Sequence, residues 1–126
     1  GEDLTLVALG AMVPRALQVA EALAREGIDC EVVDPRTTSP LDEETLLESV
    51  GRTGRLVIVD ESPPRCSLAA DIASIVAEKG FRSLKAPVAK VTCPHTPVPF
   101  APQLEDEYMP SPRRIEEAVR RTLAYA

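Results

Sequence analysis

Leu4-Thr5-Leu6-Val7-Ala8-Leu9-Gly10, with Pro14 shortly after it and an amphipathic run that ends at Gly27, sets the pattern from which the rest of the chain is read. A short run that is apolar at nearly every position suits a strand covered on both faces, as in a parallel sheet. A strand with one wet face would alternate. Pro14 stands where the first turn of a helix tolerates proline. Beyond it, Ala16, Leu17, Val19, Ala20, Leu23 and Ala24 are expected on one helical face, with Arg15, Gln18, Glu21, Arg25 and Glu26 on the other. Gly27 closes the helix.

The same unit recurs outward from this one. Cys30-Glu31-Val32-Val33 reads as a short strand, followed by a turn from Asp34 to Pro40. Asp42 is placed to cap a helix carrying Leu46, Leu47 and Val50 on one stripe, with Glu43 and Glu44 in the first turn, where the helix dipole favours negative charge. Arg55-Leu56-Val57-Ile58-Val59-Asp60 is the clearest strand. Leu68, Ile72, Ile75 and Val76 form the inner stripe of a third helix that stops at Gly80, and Val88 to Thr92 is a fourth strand. Ser111-Pro112 is a cap followed by a first-turn proline. It opens a last helix with Ile115, Val119 and Leu123 inside and Arg113, Glu117, Arg120 and Arg121 outside. Strands alternating with helices imply crossover connections, a mainly parallel sheet and helices on both faces. Residues 1–126 are therefore expected to form a single α/β domain.

Composition narrows the function. The 126 residues carry 14 basic against 20 acidic side chains, a net charge of −6, and 44% are hydrophobic. That is the balance of a soluble globular chain, and it speaks against binding to a phosphate backbone; no nucleic-acid partner is expected. No apolar run approaches the roughly 20 residues of a membrane span, and no signal peptide opens the chain, so no membrane partner is expected either. Three widely spaced cysteines (Cys30, Cys66, Cys93) suggest reduced thiols and a cytoplasmic location. A start at Gly1 instead of methionine suggests a piece of a longer protein.

One segment departs from this economy. From Cys93 to Ser111 no regular structure is expected, and five of the chain's 12 prolines fall there. Long connections without secondary structure are uncommon in compact domains and are usually functional. This one also carries Val98, Phe100, Leu104, Tyr108 and Met109, apolar side chains that need a covering surface. Two readings stand: the segment packs over its own domain, or it packs on a partner.

In an open parallel sheet the ligand crevice lies beyond the carboxyl ends of the strands. The turns that converge there would bring Asp34, Arg36, Glu61, Arg65 and His95 to one edge, a set able to bind an anion or to make a subunit contact. The first turn lacks both a Gly-x-Gly-x-x-Gly pattern and a Walker lysine, so a nucleotide site has little support. Cys66 beside Arg65 is either an activated nucleophile or a packing residue. Glu61 is either a general base or a carboxylate paired with Arg65. His95, the one histidine, either does chemistry or fixes the proline-rich segment by hydrogen bonds. Cys66, Cys93 and His95 lack paired ligand spacing, and no metal site is expected. Residue chemistry alone describes a domain with an edge for contacts and no assembled catalytic set.

Several motifs in order carry a family resemblance. Leu6 to Val13, Val33-Asp34-Pro35-Arg36-Thr37-Thr38-Ser39-Pro40-Leu41-Asp42, Val57-Ile58-Val59-Asp60-Glu61 and Thr96-Pro97-Val98-Pro99-Phe100 resemble the C-terminal domain of the transketolase superfamily. More narrowly, they resemble that domain in the β subunit of thiamine-dependent 2-oxoacid dehydrogenase complexes. Pro64-Arg65-Cys66-Ser67, Asp71-Ile72-Ala73 and Pro94 to Phe100 look most like the acetoin dehydrogenase version. Pyruvate-type subunits tend to carry a Gly-Phe-Gly stretch near Arg65 and an Asp in place of His95.

The resemblance implies a three-layer α/β/α domain with a mainly parallel sheet; the family's one antiparallel strand would precede Asp3 and is expected to be missing or truncated here. It implies an enzyme that cleaves acetoin or decarboxylates a 2-oxoacid and passes the acyl group to lipoamide on a lipoyl acyltransferase core. Thiamine diphosphate with magnesium would lie between an α subunit and another domain of the β subunit, not on this domain alone. No catalytic residue is then expected here. The domain would hold an α2β2 tetramer together and offer a surface to the acyltransferase, with Ala126 and the nearby tail as docking candidates. Arg36, Glu61, Arg65 and His95 would face the channel mouth, and Phe100 and Tyr108 would serve subunit contacts. Transketolase's own catalytic histidine is not carried over to His95. The rival reading is a free-standing small-molecule or anion-binding α/β module.

Overall fold

The computed structural model describes residues 1–35, 42–61, 67–93 and 109–125. Strands β1 (Leu4–Ala8), β2 (Cys30–Val33), β3 (Leu56–Val59) and β4 (Ala89–Val91) form one sheet in the order β2-β1-β3-β4, and every pairing is parallel. Leu6 stands opposite Val32 on one side and Val57 on the other, which makes β1 and β3 the two central strands. They are the two runs whose described residues are all buried, as the unbroken apolar pattern requires.

Helices α1 (Val13–Ala24), α2 (Glu43–Thr53) and α3 (Leu68–Lys79) supply the crossovers, and α4 (Pro112–Ala124) follows β4. The period-two geometry of a strand divides the core between them. Leu4, Leu6 and Ala8 of β1 and Val57 and Val59 of β3 point to one face, against Ala16, Val19 and Leu23 of α1 and Ile115 and Val119 of α4. Val7, Leu56 and Ile58 point to the other, against Leu46 and Val50 of α2 and Ile72 and Val76 of α3. The result is three layers, α/β/α, with two apolar cores and the sheet between them.

Helix starts lie where side chains can satisfy free backbone N–H groups. Asp42 accepts from the Thr45 N–H, Ser67 from Ala70 and Ser111 from Arg114. A buried polar contact also joins α2 to β1: the Thr5 hydroxyl lies 2.8 Å from both the Ser49 and the Thr53 hydroxyls, and all three residues are buried.

Two expectations about helix faces are corrected. Leu17 is 52% exposed, and Ala24 is exposed as well. The inward stripe of α1 is only as wide as Ala16, Val19 and Leu23, and Leu17, about 100° round the helix from Ala16, falls beside it. The third helix buries Ala69 in addition to Ile72 and Val76, while Leu68 and Ile75 are only half-buried. Between α3 and β4 a short 3-10 turn, Phe81–Ser83, stands where the sequence pattern indicated only a stop.

Candidate functional site

The strand order reverses between β1 and β3, so the crevice expected for a parallel sheet opens beyond Leu9 and Asp60. Leu9 donates its N–H to the Val59 carbonyl at 3.0 Å, and Asp60 donates to Val91 at 3.0 Å, which carries the ladder to the rim. Gly10 then adopts φ +55°, a left-handed value that favours glycine, and turns the chain into the Gly10–Met12 3-10 turn ahead of α1.

Asp60 is 4% exposed and accepts from the Ala69 backbone N–H at 3.4 Å, so its carboxylate faces the first turn of α3. That placement suits the positive end of a helix dipole and fixes where α3 begins. The next residue, Glu61, is exposed at the rim.

At the exit of β4, Thr92 and Cys93 are both buried. The Cys93 sulfur lies 3.7 Å from the Met109 thioether. Burial pushes the Cys93 thiol up, and the nearby Glu61 and Asp60 carboxylates add to this against the opposing Arg114. A thiol held protonated in this way is a packing group and a poor nucleophile at neutral pH.

Two arginines grip the backbone on either side of the long segment. Arg114 Nη2 donates to the Thr92 carbonyl at 2.7 Å, and Arg15 Nη1 donates to the Pro110 carbonyl at 2.6 Å. Both are charge-assisted bonds, stronger than a neutral pair. Neither arginine was singled out in sequence for this role. In the sequence pattern Arg15 belongs only to an outer helical face, and nothing distinguishes Arg114.

Of the residues expected at this edge, Asp34 and Glu61 are at strand exits and exposed. They are not brought together. Asp34 follows β2 and Glu61 follows β3, two strand spacings apart, or roughly 10 Å. Arg36, Arg65, His95, Phe100 and Tyr108 lie outside the described residues, as do Cys66 and Ala126. The described part of the rim brings together Asp60, Glu61, Cys93 and Arg114, whose guanidinium already serves a carbonyl. Carboxylates at the switch point do not suit a diphosphate, and among the described residues no group of three His, Cys, Asp or Glu side chains could hold a metal ion. No described helix is long and apolar enough to cross a membrane.

This three-layer domain, with its parallel sheet and helix-capped rim, belongs to the transketolase C-terminal domain family, whose pattern matches residues 1–115. A solved structure described as a split-gene transketolase, inactive β4 tetramer, superposes with a TM-score of 0.84 at 34% identity, covering 99% of this chain and 39% of that one. Among characterised relatives, the chain is 55% identical over 123 residues to the acetoin:2,6-dichlorophenolindophenol oxidoreductase subunit beta of Cupriavidus necator, covering 98% of this chain and 36% of the relative. It is 54% identical over 115 residues to the subunit of the same name from Bacillus subtilis, covering 91% and 34%. Against the pyruvate dehydrogenase E1 component subunit beta of Leifsonia xyli it is 48% identical over 125 residues, covering 99% and 37%. The chain thus spans little more than a third of the length of these relatives.

Proposed function

We propose that residues 1–126 form the assembly domain of a longer β subunit, in a thiamine diphosphate-dependent dehydrogenase that cleaves acetoin and passes the two-carbon acyl unit to lipoamide. The identity of 55% to an acetoin oxidoreductase β subunit over nearly the whole chain carries this reading. The fall to 48% against the Leifsonia xyli pyruvate dehydrogenase relative favours acetoin over pyruvate.

In this reading the domain joins an α subunit and a second β subunit in an α2β2 tetramer that docks on a lipoyl acyltransferase core in the cytoplasm. Thiamine diphosphate and its magnesium are held by the remainder of the assembly. The cofactor supplies the carbanion that attacks the substrate carbonyl, and protein groups position it. What this domain offers is packing surface and a rim. Its described carboxylates argue against an anion-binding module, and burial argues against chemistry by the Cys93 thiol.

The test is dye reduction by the full-length β chain assembled with its α chain. Acetoin should drive it well above pyruvate, and a β chain shortened by these residues should fail to form the tetramer in sedimentation. Tight calorimetric binding of thiamine diphosphate and magnesium by the isolated domain would contradict the proposal.

A further inference from the structure

The first three residues are fastened to the start of β2, at the edge of the sheet. Asp3 donates its N–H to the Asp29 carbonyl at 2.9 Å, and Asp29 returns its own N–H to the Asp3 carboxylate at 2.7 Å. Glu2 donates its N–H to the Asp29 carboxylate at 3.1 Å. Gly1 lies flat against the strand. A Cβ built there would stand 2.6 Å from the Cys30 carbonyl carbon and 2.9 Å from its oxygen, closer than side chains approach backbone. Both obstacles are main chain and have no rotamer with which to give way, so this close approach requires glycine.

Arg52 completes the fastening. From the last turn of α2 it donates through Nε to the Gly1 carbonyl at 3.2 Å. Its Nη2 donates to the Glu31 carboxylate, and the Glu2 carboxylate lies 3.9 Å from Nε. Glu31 stands on β2 between Cys30 and Val32, which pack on the α1 side, so its own side chain projects towards α2. One guanidinium thus joins α2, β2 and the incoming chain. A planar fork with several donors holds such partners in one geometry, which a lysine ammonium does less well. The side chains of Arg52 and Glu31 are 37% and 26% exposed, so water weakens this grip only in part.

A linker between independent domains makes few contacts and runs through water. Residues 1–3 are instead bonded to Asp29 and Arg52, and ordering them costs chain entropy that those contacts offset. We propose that Gly1, Asp29, Glu31 and Arg52 form a rigid joint between this domain and the rest of the longer β subunit. The joint fixes the direction from which the preceding chain arrives, so the domain and the remainder unfold and turn as one body. This rests on the reading of residues 1–126 as part of such a subunit.

The test uses the full-length β chain assembled with its α chain, digested briefly with a protease of broad specificity and scanned by calorimetry. Mass spectrometry locates the cuts. The wild type should resist cutting next to Gly1 and should melt without a separate transition for this domain. Arg52→Met and Gly1→Ala should each speed cleavage at the joint roughly tenfold and split off such a transition. Arg52→Lys, which keeps the charge and loses the fork, should fall between. Arg25→Met removes only an exposed pair with Glu21 and should do neither. Helical circular dichroism equal to that of the wild type shows that each variant is folded. Cleavage and melting in the Arg52 variants that match the wild type overturn the proposal, and so does a wild type that is cut readily at the joint or melts in two steps. The wider reading fails separately, if the chains do not assemble or acetoin does not drive dye reduction. The cleavage rate scores the joint in either case.

Discussion

Arg114 donates from its guanidinium to the carbonyl of Thr92 at 2.7 Å, tying the first turn of α4 to the exit of β4, 22 residues earlier in the chain. A carbonyl at the end of a strand has no further ladder partner, and one on a buried residue needs a donor. Arg15 performs the same service for Pro110 from α1. Replacement of Arg114 by methionine keeps the apolar stem and removes the charge-assisted bond. Stability should fall by about 1.5–3 kcal/mol, measured by urea unfolding with an unchanged m-value. A loss near zero would mean that water replaces the guanidinium.

The buried hydroxyls of Thr5, Ser49 and Thr53 make a second test. Thr5→Val keeps the shape and removes the oxygen that both partners share. The expected cost is about 1–3 kcal/mol, because Ser49 loses its hydrogen bond to Thr5. Ser49→Ala added to Thr5→Val should recover part of that loss. Strict additivity of the two would contradict a shared network.

Gly54 ends α2 at φ +74°, and a Cβ built there would stand 2.8 Å from the Lys85 side chain. The Lys85 stem is flexible and can give way, so the backbone conformation sets the cost. Gly54→Ala should destabilise by about 1–2 kcal/mol, whereas Gly51→Ala, within α2 and with nothing closer than 4.0 Å, should be neutral or stabilising. Equal effects in thermal unfolding would remove the conformational explanation.

Cys30 gives a pH dependence. Burial first, and then the carboxylates of Asp3 and Asp29, push its thiol up to about 11 from 9.0, against the lowering effect of the amino terminus. The folded state thus favours the protonated thiol. Its contribution is complete below about 9 and is lost as the pH climbs towards about 11. Wild-type stability should decline across that window more steeply than that of Cys30→Ala. Parallel declines in the two proteins would assign the loss to other groups.

Much of the architecture was legible from residue order. The apolar runs of β1 and β3, the caps at Asp42 and Ser111 and the inward stripes of α2 and α4 are local signals, written within one or two turns of chain. The wide face assigned to α1 failed at Leu17 because periodicity gives a direction and does not say how broad the surface opposite it is. Of the candidate site, Asp34 and Glu61 could be placed at strand exits. The buried carboxylate of Asp60 and the reach of Arg15 could not, since no local rule links Arg15 to a carbonyl 95 residues away.

The order of residues therefore settled which segments become strand or helix, where each helix begins, and which family the pattern belongs to, because those depend on side-chain periodicity, backbone preference and motif. Folding in three dimensions settled the β2-β1-β3-β4 order and the arginine grips at the rim. Those arise from packing between distant segments, where the gain in buried area and satisfied hydrogen bonds depends on the whole arrangement and leaves no trace in any short window of sequence.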